Sequence, residues 1–282
     1  MLAVETFQHT GSFKFRAAWN VARTVPNPHI IAASSGNFGQ AIALACRISS
    51  KRCTVVMPHT SARVKVDAVR GYGGEVDLVD VRHTSRAARV RELAEQHPGA
   101  YIASAYDDAL VIEGNASLGR ELARAAPALD AVVVPVGGGG LSAGIITGLE
   151  ASGSRARVFG AEPLQANDAA RSLRAGRIIA HEQEPDTLAD GARTLSVGQQ
   201  NWPILQRGLS TIFEIPESAI IEAVQLLFRL TNLKAEPTGA LSVAALLAKP
   251  PELRGRRVCC VVSGGNVDPD VYRELLGSPV GR

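Results

Sequence analysis

The sequence predicts an α/β protein of parallel-rich twisted sheets flanked by helices, and three observations carry that prediction. Short β-rich apolar runs alternate with segments of helical apolar spacing from about residue 30 to 175, the pattern of parallel βαβ units. Glycine- or serine-rich turns follow three of the apolar runs, at the carboxyl ends of strands where parallel sheets bind ligands. The 282 residues are 46% hydrophobic, enough to bury one large core or two modest ones.

In chain order, strands are expected at residues 30–34, 53–57, 75–79, 100–104, 131–136 and 157–161. Between them, residues 39–50, 61–72, 85–97, 113–126 and 141–152 space their apolar side chains as helices do. The C-terminal third repeats the theme less regularly, with helices at 217–231 and 238–248 and a buried strand at 257–262. Residues 177–198 are polar and aperiodic, which predicts a long ordered loop of the kind that is often functional. Residues 131–149 lack charge over a length that raises the question of a membrane span. Six glycines and Pro135 fall inside them, so a strand, a glycine loop and a helix are expected instead.

The formal charge of +3 is nearly balanced and gives no reason to invoke nucleic acid or a membrane surface as partner. Cys46, Cys53, Cys259 and Cys260 lack zinc-finger or redox spacing. Reduced core thiols and a cytoplasmic protein are expected from them. No basic stretch followed by an apolar one opens the chain, so no signal peptide is expected. The six histidines show no ligand spacing and are expected to be solvated or structural.

The three turns are Ser34-Ser35-Gly36-Asn37, Gly137-Gly138-Gly139-Gly140 and Ser263-Gly264-Gly265-Asn266. Three such turns at strand ends suggest a shared site. In the second, a backbone without Cβ atoms can point several N–H groups at an anion, and the helix beginning near Leu141 adds its dipole. That combination reads as a phosphate cradle, against the plainer reading of a tight strand-to-helix turn with no ligand. A dinucleotide site is the rival: Gly137 and Gly139 start a Rossmann-like fingerprint and Glu162 ends the next strand. Ser142 stands at its third glycine position, however. Only five lysines occur, and Lys14 alone sits in a motif, Thr10-Gly11-Ser12-Phe13-Lys14-Phe15-Arg16. Between Phe13 and Phe15 its amine is expected to be partly desolvated, which lowers its pKa and frees it for Schiff-base chemistry.

Gly-Ser-Phe-Lys14-Phe-Arg-Ala-Ala, Ser-Ser-Gly-Asn37, Gly-Gly-Gly-Gly140-Leu and Ser263-Gly-Gly-Asn occur in the order found in fold-type II pyridoxal-phosphate enzymes. The chain resembles the serine/threonine dehydratase and serine racemase branch. Asp186-Thr-Leu-Ala-Asp-Gly191 and Glu236-Pro-Thr-Gly-Ala240 extend the resemblance over essentially the whole chain. Cysteine and threonine synthases usually carry Asp where Phe15 stands here.

The resemblance implies a two-domain, tryptophan synthase β-like fold. The smaller domain would span 28–106 and the larger 1–27 with 107–282, the cofactor lying in the cleft between them. It implies that Lys14 carries the cofactor and moves the substrate Cα proton, with Phe13 beside it. Gly137, Gly138, Gly139 and Gly140 would take the phosphate, Asn37 the phenolic oxygen, and Ser263 the ring nitrogen. A neutral serine there leaves the pyridine unprotonated, which favours prompt β-elimination. Ser34, Ser35, Gly36 and Asn37 would hold the substrate carboxylate, and Ser35 matches the second acid/base of serine racemase. Glu162 and Asp168, with the Ala166 carbonyl, resemble the family's divalent cation site for Mg²⁺ or a similar ion. Acids serving a helix dipole are the alternative reading of that run.

The expected activity is an ammonia-lyase that removes water from a small hydroxy-amino acid of the L-serine/L-threonine type, with a homodimer as the working form. An amino-acid racemase with side elimination, or an inactive binding homologue, are the alternatives. Three departures bear on this. Phe38 stands where a histidine often follows the Ser-Gly-Asn turn. Gly114-Asn115-Ala116-Ser117 replaces the common Gly-Gln-Gly-Thr. Family members carry a few dozen residues before the segment matching Glu5, whereas Met1 lies almost at that point, which predicts a longer natural chain or a sheet edge closed in another way. No effector domain is expected after Asp268.

Overall fold

The structure, a computed structural model, describes residues 1–34, 36–61 and 63–279. Its first half runs β1 (Leu2–Val4), α1 (Lys14–Thr24), β2 (His29–Ala33), α2 (Asn37–Ile48), β3 (Arg52–Pro58), α3 (Arg63–Gly71), β4 (Glu75–Val79), α4 (Arg86–Gln96), β5 (Tyr101–Ala103) and α5 (Ala109–Ala125). The second half runs β6 (Ala131–Pro135), α6 (Gly140–Ala151), β7 (Arg157–Pro163), α7 (Asp168–Ala175), α8 (Trp202–Gly208), β8 (Leu209–Ile215), α9 (Glu217–Thr231), α10 (Pro237–Leu247), β9 (Val258–Val262) and α11 (Pro269–Gly277). The chain divides into two compact units, Lys14–Gly114 and Met1–Phe13 with Asn115–Arg282.

In the smaller unit, β4, β3, β2 and β5 form a four-stranded sheet in that order, every pair parallel. The period of two sorts its side chains. Ile30, Ala32, Val55 and Met57 pack with α1 and α2, whereas Ile31, Val56 and Val79 pack with Val90 and Leu93 of α4. Burial on both faces is why these strands read as continuous apolar runs. The unit begins at Lys14 rather than at residue 28, because α1 buries Ala17, Ala18, Val21 and Ala22 in the same core as Ala41, Ile42 and Ala45 of α2. It ends at Gly114 rather than 106. The first turns of α5 are tied to α1 by the Asn20 amide, which donates to the Leu110 carbonyl at 2.8 Å. Gly114 also packs so close that a Cβ there would lie 2.6 Å from the Arg16 carbonyl oxygen.

The larger unit has a five-stranded, wholly parallel sheet ordered β1, β9, β6, β7, β8. Strand β6 ends at Pro135 and α6 opens at Gly140, so the uncharged stretch is strand, loop and helix as expected. No helix among the described residues is long and apolar enough to cross a membrane. Helices α5 and α6 cross at backbone contact: a Cβ on Gly148 would meet the Ala116 carbonyl oxygen at 2.1 Å. The polar loop carries only a 3₁₀ turn at Asp190–Ala192. Glu217 orders it by accepting from the Thr187 hydroxyl (2.6 Å) and the Leu188 N–H (2.9 Å). All four cysteines are free and buried. Burial pushes the Cys259 and Cys260 thiols up to about 11 and about 12, which keeps them protonated and unreactive.

Candidate active site

Lys14 belongs to the smaller unit. Lys14 opens α1, and its Nζ donates to the Ala105 carbonyl at 2.7 Å. The same Nζ stands 5.9 Å from the centre of the Phe38 ring, which is itself buried at 1% exposure. An aromatic face and a carbonyl therefore hold a primary amine in one place. Sequence reasoning expected Phe13 and Phe15 to supply the apolar wall, and read Phe38 only as a departure. Phe15 stacks on Trp19 with ring centres 6.3 Å apart, and Phe38 is the ring under the amine.

The first turn joins β2 to α2. The Ser34 hydroxyl accepts from the Gly36 and Gly39 N–H groups at 3.3 and 3.1 Å, and the Ser34 N–H donates to the Val56 carbonyl. Ser34 is thus occupied in shaping the turn. Gly39 permits the approach, since a Cβ there would lie 2.7 Å from the Ser34 carbonyl oxygen. Gly36 precedes the helix and Asn37 is its first residue, with no acid in the first turn. An anion is accommodated at such an end. Ser35 lies outside the described residues.

The glycine loop belongs to the larger unit. Gly139 has φ of 90° and caps α6 with no side chain, so the first N–H groups of α6 are open to a ligand. Two asparagines that sequence reasoning did not assign hold this loop from behind. Asn115 is 1% exposed and its amide donates to the Gly140 carbonyl at 3.1 Å. Asn201 donates to the Gly138 carbonyl at 2.7 Å, joined there by the Gly198 N–H at 3.0 Å. Gly137 packs on the Asp190-Gly191 turn, where a Cβ would lie 2.9 Å from the Gly191 carbonyl oxygen. The Gly138 and Gly140 carbonyls are engaged by amides, and no side chain caps the start of α6, an end suited to an anion.

Ser263 follows β9 at 2% exposure, and its carbonyl accepts from the Phe13 N–H at 3.0 Å. Glu236 borders this turn: it is 4% exposed, and a Cβ on Gly264 would meet its Oε1 at 2.4 Å. Glu236 stands in a motif noted from sequence, but nothing in its spacing marked a carboxylate beside the serine.

Glu162 and Asp168 are both 1% exposed. Glu162 Oε1 accepts from the Ala170 N–H at 2.7 Å. Glu162 Oε2, Asp168 Oδ2 and His181 Nε2 find no hydrogen-bond partner among the described residues, and His181 Nε2 lies 3.8 Å from Asp168 Oδ1. Burial, aided by the Asp168 charge, pushes Glu162 up to about 9; burial pushes Asp168 up to about 7. No three His, Cys, Asp or Glu side chains among the described residues already stand in metal-holding geometry. A cation here would take two carboxylates, the carbonyl of the buried Ala166 and waters, a donor set suited to hard oxygen-seeking ions.

The Lys14 amine lies in the smaller unit, and the uncapped glycine loop and the buried Ser263 hydroxyl lie in the larger. Residues 2–264 match the family model described as pyridoxal-phosphate dependent enzyme. The chain is 37% identical over 276 residues to L-threo-3-hydroxyaspartate ammonia-lyase of Pseudomonas sp, covering 96% of this chain and 86% of that protein. It is 35% identical to serine racemase of Bos taurus, covering 94% of this chain and 81% of that one. The crystal structure of the T.th. threonine deaminase superposes with a TM-score of 0.88 at 40% identity, covering 95% and 87% of the two chains. The chain belongs to the pyridoxal-phosphate dependent enzyme family, and pyridoxal phosphate is its cofactor. The residues present fit that group: an amine for the aldehyde, uncapped helix N–H groups for the phosphate, and a hydroxyl for the ring nitrogen.

Proposed function

We propose that the chain is an ammonia-lyase that removes water from a small hydroxy-amino acid of the L-serine/L-threonine type, giving a 2-oxo acid and ammonia. The placed amine of Lys14, in contact with the Ala105 carbonyl and the Phe38 ring, carries this reading. When bound, pyridoxal phosphate supplies the electron sink for the pair left behind at the substrate Cα. Lys14 holds the cofactor and then serves as the base that takes the Cα proton. Gly137, Gly138, Gly139 and Gly140 hold the phosphate, Asn37 the phenolic oxygen and Ser263 the ring nitrogen. The N-terminal end of α2 at Asn37 orients the substrate carboxylate, with Ser34 and Gly36 shaping the turn before it. The released enamine acid loses ammonia to water.

The relatives bear ammonia-lyase, deaminase and racemase names, so three substrates belong in the first assay: L-serine, L-threonine and L-threo-3-hydroxyaspartate. Racemisation is the second reading, favoured by the 35% identity to a protein named serine racemase. It requires an acid/base on the face opposite Lys14, for which Ser35 is the candidate. The reading extends to a divalent cation held by Glu162, Asp168 and the Ala166 carbonyl, and to a homodimer, which light scattering measures. The deciding experiment loads purified protein with pyridoxal phosphate, follows 2-oxo acid formation, and maps the borohydride-reduced peptide. Reduction on Lys14 with turnover of at least one substrate supports the proposal. Turnover of none leaves a binding homologue.

A further inference from the structure

The segment that delivers Lys14 is conformationally costly. Thr10, which is not glycine, sits in the left-handed region at φ 61°, a strained placement that persists only where the surroundings impose it. Its hydroxyl is buried without a partner among the described residues, as is that of Ser12. Strain and unsatisfied polar atoms crowded into three residues of chain are a signature of functional constraint.

The imposing groups are visible. The Asn266 amide donates to the Thr10 carbonyl at 2.6 Å. The Gly265 N–H donates to the Gly11 carbonyl at 3.0 Å, and the Phe13 N–H to the Ser263 carbonyl at 3.0 Å. Ser12 and Gly264 pair as an antiparallel bridge. Asn266 reaches across because Gly11, at φ 75°, has no Cβ; one built there would lie 2.3 Å from Asn266 Oδ1. Of these contacts only the first uses a side chain, and it falls on the strained residue. The stitch therefore binds the turn that carries Ser263 to the four residues whose last, Phe13, is bonded to Lys14.

We propose that Asn266 is a positioning residue for Lys14: by holding the Thr10 carbonyl it keeps residues 10–13, which lead directly into the lysine, in their strained form. The proposal rests on Lys14 being the cofactor-bearing lysine. Capture joins the Lys14 nitrogen to the cofactor's aldehyde carbon, and the aldehyde oxygen leaves as water with the two amine hydrogens. Asn266 acts on the approach of that nitrogen and touches neither reacting atom.

The test compares covalent and non-covalent binding in the full chain. Pyridoxal phosphate capture is timed by visible absorbance. 4′-Deoxypyridoxine 5′-phosphate, which lacks the aldehyde, measures binding without capture. For Asn266→Ala the capture rate and kcat for L-serine should fall at least tenfold, while the analogue's Kd stays within threefold. Asn266→Asp, which cannot donate to a carbonyl, should behave alike. Adding Thr10→Gly, which adopts left-handed φ without strain, should recover several-fold of the lost capture rate. Capture within twofold of the parent for either Asn266 variant overturns the proposal. So does a parallel loss of capture and analogue binding, or an Asn266→Ala chain that fails to fold and is not restored by Thr10→Gly. A borohydride label on a lysine other than Lys14 removes the functional reading and this proposal together; a label on Lys14 with unchanged capture removes the proposal alone.

Discussion

At the scale of single residues, the lysine proposed to carry the cofactor and the groups that hold its surroundings were unequally visible. Lys14 stood out because lysine is rare in this chain and because its motif is distinctive. Lys14→Ala is expected to abolish the borohydride-reducible chromophore and all 2-oxo acid formation; a mutant that keeps the chromophore would show another lysine at work. Asn201 was not legible, since a buried amide facing a loop carbonyl leaves no periodic trace in sequence, and Asn115 was seen only as part of a departure from the family motif. Phe38 was seen, but only as an oddity, and its place under the amine emerged from the packing of α2. Removing Asn201 leaves the Gly138 carbonyl with the Gly198 N–H alone. A net hydrogen bond of about 0.5–1.5 kcal/mol is at stake, so Asn201→Ala should weaken pyridoxal phosphate binding by about two- to twelvefold. Titration of the chromophore checks this, and unchanged affinity would mean that the loop holds its shape without the asparagine.

At the scale of elements, the strands of both sheets were read within a residue or two wherever they are buried on both faces, because continuous β-branched runs survive any context. Helix α1 was missed because its first residues were read for the chemistry of the lysine motif rather than for the apolar face that Phe15, Ala18, Val21 and Ala22 bury. Strands β1 and β8 were missed as sheet edges, and α7, α8 and α11 as helices of only 7–9 residues. Glycines inside helices hid a further feature, the crossing of α5 on α6. A methyl on Gly148 would press on the Ala116 carbonyl oxygen, and overpacking of this kind costs about 1–3 kcal/mol. Gly148→Ala should lower the urea midpoint accordingly, and an unchanged midpoint would mean that the helices part without cost. His29, on β2, supplies a pH effect. It is 8% exposed, its Nε2 lies 2.9 Å from the Thr54 hydroxyl, and its ring meets His97 edge-on at 5.1 Å. Burial first, then the charges of Arg52 and His97, hold its pKa below 6.5 against the opposing pull of Glu75. The unfolded chain therefore binds this proton first as pH falls, so the stability His29 contributes is present above pH 6.5 and is lost as pH drops through the folded-state value. His29→Gln should lose less melting temperature than the parent between pH 7.5 and 5.5; equal losses would place the acid sensitivity elsewhere.

At the scale of the whole molecule, fold class, cofactor and family were all within reach of the sequence, since ordered motifs at strand ends specify a site more sharply than any one element does. The pair of Glu162 on β7 and Asp168 at the start of α7 was read from sequence as a cation site or as helix-dipole acids, and the structure bears on that choice. Acids that serve a helix dipole sit at the surface or accept from the first turn's N–H groups. Glu162 accepts from the Ala170 N–H with one oxygen, but its other oxygen and one oxygen of Asp168 are buried without a partner among the described residues. Buried charges of one sign are costly unless an opposite charge joins them, and a divalent cation supplies it. Binding to the folded state alone adds about 2.7 kcal/mol at a hundred times Kd. At about 2–4 °C per kcal/mol for chains approaching this size, Mg²⁺, Ca²⁺ or Mn²⁺ at millimolar concentration should raise the melting temperature by roughly 5–10 °C over protein held in chelator. Glu162→Gln should abolish that rise while melting close to the parent in chelator, because burial already keeps the parent's Glu162 protonated near neutral pH. A parent that melts identically with cation and with chelator would leave these two acids as structural groups, and the helix-dipole reading would stand.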